Sequence, residues 1–451
     1  MNPTKLHKSL SVTMSGDVRP DEQLAVILKY KPSFVARGEV GALSDIAPSQ
    51  SFHLVSAQAT DATPSMIAAL TDDPAVEMIW PDLPVHTWAD TRVPLIGVPR
   101  VVDAGFGGQG VRIGIVDTGI DRDHPDFEGR IAAWRDLIDE NADAAHDPNG
   151  HGTHVAGIAA GSGAAGGGRY KGVAPQAMLV IARALDAEGG GRTSTVMAGI
   201  EWAIDNGAQV VNISLGGPPY PADGTDALSV LCNAAVEAGI VVCVAAGNMG
   251  PAGHTIGAPS AARRVITVGA SEATAGDPTD RVAGFSSRGP TGDGSAKPEL
   301  IFPGVGIVSA RAAGTGLGRP VDAHYTALRG TSQATPFATG AVALLLSANP
   351  RLKPDEVRER LVRGAERLPG VDVLAQGAGR GNAYNAFVNA QGRQLGAGAG
   401  AGTGAGAGAG SGAGSGGEGG GPAVPTPPSS PADSTARSGC LPASLGAFKG
   451  R

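Results

Sequence analysis

The sequence predicts an α/β fold, a three-layer sandwich with a mostly parallel central sheet. Short apolar runs rich in β-branched residues recur along the chain, at 113–116, 179–181, 210–213 and 241–245. Stretches of helical length and pattern separate them, among them 194–205 and 228–238. A further apolar run at 337–346 is too short to span a membrane and suits a buried helix. Apolar strands joined by helices form parallel sheets that are covered on both faces.

Composition and periodicity divide the chain into five segments. They are a flexible polar lead at 1–20, a small α+β unit at 21–83, a polar connector at 84–94, the α/β domain at 95–390 and a tail at 391–451. Within the small unit we predict strands at 24–30, 52–55 and 76–79 and a helix at 64–70. The tail is made of Gly-Ala-Ser repeats and then a Pro-Ser-Thr stretch, so it cannot bury enough apolar surface to become ordered.

Composition and charge exclude several classes of function. A net charge of −7 and only 4% aromatic residues argue against nucleic-acid binding. No apolar run reaches the roughly 18 residues of a membrane span, and the N-terminus lacks the apolar core of a secretory signal. Cys232 and Cys243 are predicted to be buried thiols, and Cys440 is left over in the tail. We therefore expect cytoplasmic retention, with non-classical export left open.

Three stretches carry candidate catalytic side chains. Gly-Thr-Ser-Gln-Ala-Thr-Pro at 330–336 leads into the apolar run and sets Ser332 in the first turn of a helix. A buried-strand pattern ends at Asp117, and small residues around His151 form a helix start. Taken singly, an N-cap serine, a turn aspartate and a structural histidine are the alternatives. Together the three residues supply an acid, a base and a nucleophile.

The same three stretches resemble the signature blocks of the subtilisin-like serine proteases, which use the chain order Asp, His, Ser. The blocks are IVDTGID at 115–121, NGHGTHVAG at 149–157 and GTSQATP at 330–336. Further segments also resemble sequence blocks of the family and follow in the same order, at 172–185, 212–217, 241–251, 284–290 and 297–304. The resemblance covers residues 95–390. Within the family, the sequence is most similar to the minor intracellular branch.

The resemblance implies a role for each catalytic residue. Ser332 would attack the scissile carbonyl, His151 would take and return the proton, and Asp117 would orient the imidazole. Asn248 would donate to the oxyanion, its alternative being a turn residue after a strand. Gln333 stands where most members of the family carry Met, which removes an oxidisable thioether.

The resemblance also implies how a polypeptide substrate binds, as an extended strand between two edges. The edges are Gly189, Gly190 and Gly191 on one side and Ser214, Leu215 and Gly216 on the other. The primary specificity pocket would be walled by Ala245, Ala246, Gly247 and Gly257. Because the uncharged Met249 lies at the rim, we expect a roomy pocket that prefers large apolar residues on the acyl side. Ordinary loop and sheet structure is the alternative for these segments.

The chemistry implied by the resemblance requires no cofactor, and a structural calcium ion is weakly supported. The calcium loop of the family is replaced by a Gly-rich run at 161–168. Asp126 matches one calcium ligand, but one carboxylate falls short of the roughly 6–8 oxygens that calcium takes. Four neighbouring residues could instead hold a cation or form a solvated acidic loop, namely Asp139, Glu140, Asn141 and Asp143.

We therefore predict a serine endopeptidase that works through an acyl-enzyme and is autoprocessed from a proenzyme. By resemblance, residues 21–83 are an inhibitory propeptide, with an accessory domain as the alternative. We expect cleavage within the connector at 84–94, after Trp88, with His86 as the second choice. The other interpretations are a dedicated processing protease with few substrates and a non-catalytic protein-binding scaffold.

Overall fold

The computed structural model describes most of the chain up to residue 388. The described residues are 2–7, 10–11, 14, 19–32, 48–82, 84–87, 94–139, 142, 144–217, 222–272 and 280–388, with 84–87 and 94 described for the backbone only. The predicted tail at 391–451 lies outside these residues, as do Trp88, Glu140, Asn141 and Asp143.

The N-terminal unit contains a four-stranded antiparallel sheet and a helix that follows its third strand. Its elements are β1 Leu24–Tyr30, β2 Gln50–Phe52, β3 Ala57–Ala62, α1 Pro64–Asp72 and β4 Val76–Pro81, and the strand order is β2-β3-β1-β4. The Thr63 side chain accepts a hydrogen bond from Met66 N and so caps α1, which Pro64 begins. The strand predicted at 52–55 is wrong, because residues 53–56 form the turn between β2 and β3.

The first residues pack against this unit, so the boundary predicted at residue 20 is also wrong. Leu6 pairs with Ile79 in a parallel bridge, and the backbone N–H of His7 donates to the Ile79 carbonyl at 2.9 Å. Leu6 and Leu10 are 6% and 1% exposed and lie in the same hydrophobic cluster as Leu70. Two leucines four positions apart therefore anchor the polar lead on the sheet.

The remaining elements begin with the connector. The strands are β5 Pro84–Thr87, β6 Arg112–Asp117, β7 Ile131–Asp136, β8 Met178–Arg183, β9 Gly190–Arg192, β10 Val210–Ile213, β11 Leu215–Gly216, β12 Val241–Ala245, β13 Ile266–Glu272, β14 Arg281–Val282, β15 Leu300–Pro303, β16 Val305–Ala310, β17 Arg319–Pro320 and β18 Tyr325–Arg329. The helices are α2 Val98–Asp103, α3 His151–Ala160, α4 Thr193–Asp205, α5 Ala227–Glu237, α6 Thr331–Ala348, α7 Pro354–Gly364 and α8 Val373–Gln376. Short 3₁₀ turns lie at Pro3–Lys5, Pro94–Ile96, Pro125–Phe127 and Ala164–Gly166.

An eight-stranded sheet forms the centre of the molecule, and it confirms the predicted fold class. Its order is β14-β13-β12-β10-β6-β8-β7, with β15 beside β13, and only β14 runs antiparallel. Alternate side chains of each central strand enter different hydrophobic clusters. Ile113 and Ile115 pack with α3 and α6, whereas Val116 packs with α4 and α5. Burial on both faces explains why these strands are continuously apolar.

The connector lies as a strand between two edges of this domain. β5 pairs antiparallel with β9 on one side and with β11 on the other. Thr87 is opposite Leu215, and His86 is opposite both Gly216 and Gly190. The chain thus holds a segment of itself, in extended form, between the two edges named in the sequence analysis.

Helix length and hydropathy bear on membrane association. Within the described ranges, no helix is both long enough and apolar enough to cross a bilayer.

Candidate active site

The acid and the base lie at the ends of neighbouring elements. Asp117 is the last residue of β6 and His151 the first of α3, and both are buried. Nδ1 of His151 is 2.7 Å from Oδ1 of Asp117, which also accepts a hydrogen bond from the Thr118 N–H at 2.8 Å. Oδ2 of Asp117 is buried and has no hydrogen-bond partner among the described residues, so a positive charge on the imidazole would be stabilised.

Two glycines permit this close approach of strand and helix. A Cβ on Gly119, which has a φ of +125°, would lie 2.1 Å from the carbonyl oxygen of His146. A Cβ on Gly152 would lie 2.2 Å from the carbonyl oxygen of Gly119. Any side chain at either position would push the helix that carries His151 away from the strand that carries Asp117.

Ser332 lies inside the first turn of α6, where the cap position belongs to Gly330. The interpretation of Ser332 as an N-cap serine is therefore wrong. The buried Ser332 Oγ donates to the Ser214 carbonyl at 2.8 Å, and the Ser214 Oγ donates to the Ser332 carbonyl at 2.7 Å. This reciprocal pair fixes the serine to the residue that precedes β11.

Asn248 is held by the residue before the serine. Its Oδ1 accepts from the Thr331 N–H at 2.9 Å and from the Thr331 hydroxyl at 3.1 Å. The same hydroxyl accepts from the Gly247 N–H at 3.1 Å. Because its oxygen is engaged, the Asn248 carboxamide keeps its NH₂ group as a donor for another partner. The sequence analysis missed this role of Thr331, although the residue lies within the GTSQATP block.

A second histidine on α3 lies close to the site without being able to act as its base. Burial, and then the neighbouring His151, lower the pKa of His154 to about 3. Its Nε2 is 3.2 Å from the Thr326 carbonyl oxygen, and its Nδ1 is 3.4 Å from Nε2 of Gln333. His154 is therefore neutral at all ordinary pH values, and Gln333 packs against a neutral ring.

The candidate substrate edges lie on either side of β5. Gly190 and Gly191 lie in β9, and Gly189 precedes them in a turn. Leu215 and Gly216 form β11, directly after Ser214.

The pocket segments meet through the backbone of residues 257–260. The Gly217 N–H donates to the Ala258 carbonyl at 2.9 Å, and the Ser260 hydroxyl donates to the Ala245 carbonyl at 2.5 Å. Ala246 and Gly247 follow Ala245 at the end of β12. Met249 directly follows Asn248 and is 54% exposed.

The carboxylate of Asp126, the candidate calcium ligand, is hydrogen-bonded within the protein. Both carboxylate oxygens accept from the Tyr325 hydroxyl at 3.0 Å, and Oδ1 also accepts from the Ala165 N–H at 3.0 Å. Ser162, which has the only oxygen-bearing side chain in the run at 161–168, accepts from the Ala164 N–H. Hydrogen-bond donors thus surround the carboxylate where a cation would need oxygen ligands. Burial, and then the charge of Asp126, raise the pKa of Tyr325, so the phenol remains a donor.

The other metal hypothesis concerned Asp139, Glu140, Asn141 and Asp143, of which the last three lie outside the described residues. Asp139 is described, and its N–H donates to Oδ1 of Asp136 at 2.9 Å. No group of three or more metal-binding side chains occurs in the part of the chain that the structure describes.

Two of the three cysteines are in the described region, and both are free and buried as predicted. Burial raises the pKa of both thiols, for Cys243 to about 12. They are therefore unreactive, and neither takes part in the site. Cys440 lies outside the described residues.

Comparison with known proteins identifies the family of the chain. The Subtilase family profile matches residues 108–398. Serine protease AprX from Bacillus subtilis (strain 168) is 36% identical over 409 residues, which cover 85% of this chain and 91% of AprX. Subtilisin E from the same organism is 36% identical over 323 residues, which cover 70% of this chain and 77% of that protein.

A solved structure shows the same fold. Fervidolysin from Fervidobacterium pennivorans, a keratinolytic enzyme related to subtilisin, matches with a TM-score of 0.66 at 24% identity. The match covers 83% of this chain, which spans 62% of the fervidolysin chain. Fold, family profile and related sequences thus agree over more than half of the chain, which belongs to the subtilase family and is a subtilisin-like serine endopeptidase.

Proposed function

We propose that this protein is an autoprocessing endopeptidase whose triad is Asp117, His151 and Ser332. The observation that carries the proposal is the strand β5, which lies between β9 and β11 with its register leading towards Ser332. The 2.7 Å contact between Asp117 and His151 supplies the acid and the base of the triad.

The chemistry follows from which atoms are already engaged. With Nδ1 of His151 bonded to Asp117, Nε2 is the nitrogen that would take the Ser332 proton, once the hydroxyl turns away from the Ser214 carbonyl. Ser332 Oγ then bonds to the carbonyl carbon, and the proton passes from His151 to the leaving amine as the peptide C–N bond breaks. Water, deprotonated by the same imidazole, hydrolyses the acyl-enzyme.

The oxyanion would be met by the Asn248 NH₂ group and by the Ser332 N–H. Thr331 supports the first donor, since its two hydrogen bonds to Oδ1 of Asn248 fix the carboxamide. The loss of one such side-chain donor costs about 10²–10³ in kcat, as in subtilisin itself.

The register of β5 favours cleavage after Trp88. The strand β5 ends at Thr87, which is opposite Leu215, and Ser214 directly precedes Leu215. The Ser214 carbonyl is the group that binds the Ser332 hydroxyl, at 2.8 Å. His86 is opposite Gly216, two residues farther from Ser332, and is therefore the weaker candidate.

The N-terminal unit would act as the inhibitor of the enzyme before and after the cut. Its Asp82 accepts from the Ser194 N–H at 2.7 Å, which puts a carboxylate at the positive end of the α4 dipole. Trp80 Nε1 donates to the Thr225 carbonyl at 2.9 Å, and the Leu54 N–H donates to Glu201 at 2.9 Å. These contacts hold the unit on α4 and α5 independently of the connector.

The preference proposed for the acyl side is a large apolar residue such as Trp88. The wall residues Ala245, Ala246, Gly247 and Gly257 contribute no side chain larger than a methyl group and no charge. Substrates are thus polypeptides with an extended segment that can pair with both edges.

Active-site labelling tests the proposed nucleophile. A fluorophosphonate should label the processed chain once, at Ser332, and Ser332→Ala should abolish both labelling and peptide hydrolysis. Ser347→Ala, at the other end of α6, is the matched control and should label normally. Labelling and turnover that persist in Ser332→Ala would refute the assignment.

A further inference from the structure

We propose that Asp147, acting with Thr118, is a positioning residue for the catalytic acid and base. The inference rests on the proposed function, since it takes Asp117 and His151 to be the acid and the base. Asp147 lies in the loop before α3 and is 6% exposed.

The Asp147 carboxylate accepts five hydrogen bonds. Oδ1 accepts from the Gly150 N–H at 2.7 Å, the Thr118 hydroxyl at 2.9 Å and the Asn149 N–H at 3.2 Å. Oδ2 accepts from the Thr153 N–H at 2.8 Å and from the Thr153 hydroxyl at 2.7 Å. A buried carboxylate with this many donors is held in one orientation.

These bonds secure the start of the helix that carries the base. Gly150 is the N-cap of α3 and, having no side chain, makes no side-chain cap hydrogen bond. Asp147 supplies the missing acceptor from outside the helix, since it binds the Gly150 N–H and the Thr153 N–H on either side of His151. It also adds a negative charge at the positive end of the helix dipole.

The bond to Thr118 links this helix start to the strand end that carries the acid. Thr118 follows Asp117 directly, and its hydroxyl donates to Asp147 while accepting from the Gly152 N–H at 2.9 Å. The acid and the base are therefore joined twice, once by their own 2.7 Å contact and once through the Thr118 hydroxyl. The link through the Thr118 hydroxyl fixes the distance and angle of the direct contact between Asp117 and His151.

A positioning role of this kind affects turnover more than substrate binding. An error of about 1 Å in the placement of a catalytic group can cost about 10²-fold in rate. None of the hydrogen bonds of Asp147 reaches β9 or β11, the edges on which the substrate would lie. Substitutions in this link should therefore lower kcat and leave KM almost unchanged.

The experiment compares Asp147→Asn with Asp126→Asn in the full chain. Asp126 is also a buried, hydrogen-bonded carboxylate near one end of α3. Its hydrogen-bond partners, however, lie beyond the C-terminal end of that helix, whereas His151 is at the N-terminal end. Per mole of mature enzyme, Asp147→Asn should lower kcat on a chromogenic peptide at least about tenfold, with KM within about twofold. Asp126→Asn should keep kcat within about twofold, whatever it does to thermal stability.

A second pair of variants keeps the test decisive if Asp147→Asn does not fold. Thr118→Val removes the hydroxyl at nearly constant volume, and Thr118→Ser retains it. We expect the first to lower kcat about tenfold or more and the second to stay within about threefold of wild type. Because both substitutions break one link, Asp147→Asn with Thr118→Val should cost less than the product of the single effects.

The outcomes separate this inference from the proposed function. Equal kcat for wild type and Asp147→Asn, or for Thr118→Val and Thr118→Ser, would overturn the positioning role while Ser332→Ala remains inactive. Activity that persists in Ser332→Ala would instead overturn the triad assignment on which the inference rests.

Discussion

Tyr325→Phe tests how much the Tyr325 hydroxyl stabilises the buried carboxylate of Asp126. The substitution removes one oxygen atom, from a ring that is fully buried. Oδ1 of Asp126 would keep the Ala165 N–H, but Oδ2 would lose the Tyr325 hydroxyl, which lies 3.0 Å away. A carboxylate oxygen left without its donor at a 1% exposed residue should cost about 2–3 kcal/mol of unfolding free energy. For a domain of this size that corresponds to a fall in Tm of roughly 4–10 °C.

The measurement is urea and thermal unfolding in a Ser332→Ala background, which prevents self-digestion. Tyr170→Phe is the matched control, because its ring lies 4.5 Å from that of Tyr325 and no hydrogen bond among the described residues joins it to Asp126. We expect excess EDTA to leave the Tm of the parent unchanged. A Tyr325→Phe effect below about 0.5 kcal/mol would refute the reasoning. So would a fall in parent Tm with EDTA that calcium restores.

Two further predictions concern the active site. Because His151 must be neutral to accept the serine proton, kcat/KM should rise with pH through roughly 6–7 and fall away in acid. His154, with a pKa of about 3, cannot produce that limb, so activity that stays flat from pH 8 to about pH 4 would contradict the role of His151. Peroxide should inactivate the enzyme more slowly than a Gln333→Met variant, because the wild-type residue next to Ser332 has no thioether. Equal half-lives of the two proteins at the same peroxide concentration would contradict this prediction. Met249→Leu in both backgrounds controls for oxidation of the exposed Met249.

The central sheet could be predicted from sequence because its strands are buried on both faces. The strand that ends at Asp117 and the helix that begins at His151 were both expected from local pattern, and both have the predicted type. Helix α6 was expected for the same reason, since residues 331–346 are all buried. The hydrophobic pattern of a segment reflects how it is buried, and β6 and α6 are almost completely buried.

The N-terminal unit was less predictable because its strands are short and its core is small. Leu6 and Leu10 lie in a polar stretch, and only their contact with the sheet around Ile79 shows that they are anchored. The turn at 53–56 interrupts an apolar pattern that had indicated a strand. In both cases the deciding contacts are made by residues distant in sequence.

The site residues that the sequence analysis missed also act over long distances. Tyr325 donates to Asp126 across 199 positions, and Thr331 binds Asn248 across 83. No local pattern identifies such partners, because each is an ordinary residue in its own segment. The sequence analysis did not identify Asp147 either, because its partner Thr118 lies 29 positions away, directly after β6.

The sequence of the mature N-terminus tests the central claim most directly, which is that β5 is the first substrate of the enzyme. Wild-type chain should yield a mature form that begins at residue 89, together with a released N-terminal fragment. Ser332→Ala should remain a single chain with its original N-terminus. A wild-type chain that is fully active while still uncut, or a Ser332→Ala chain that is cut at the same bond, would contradict the account.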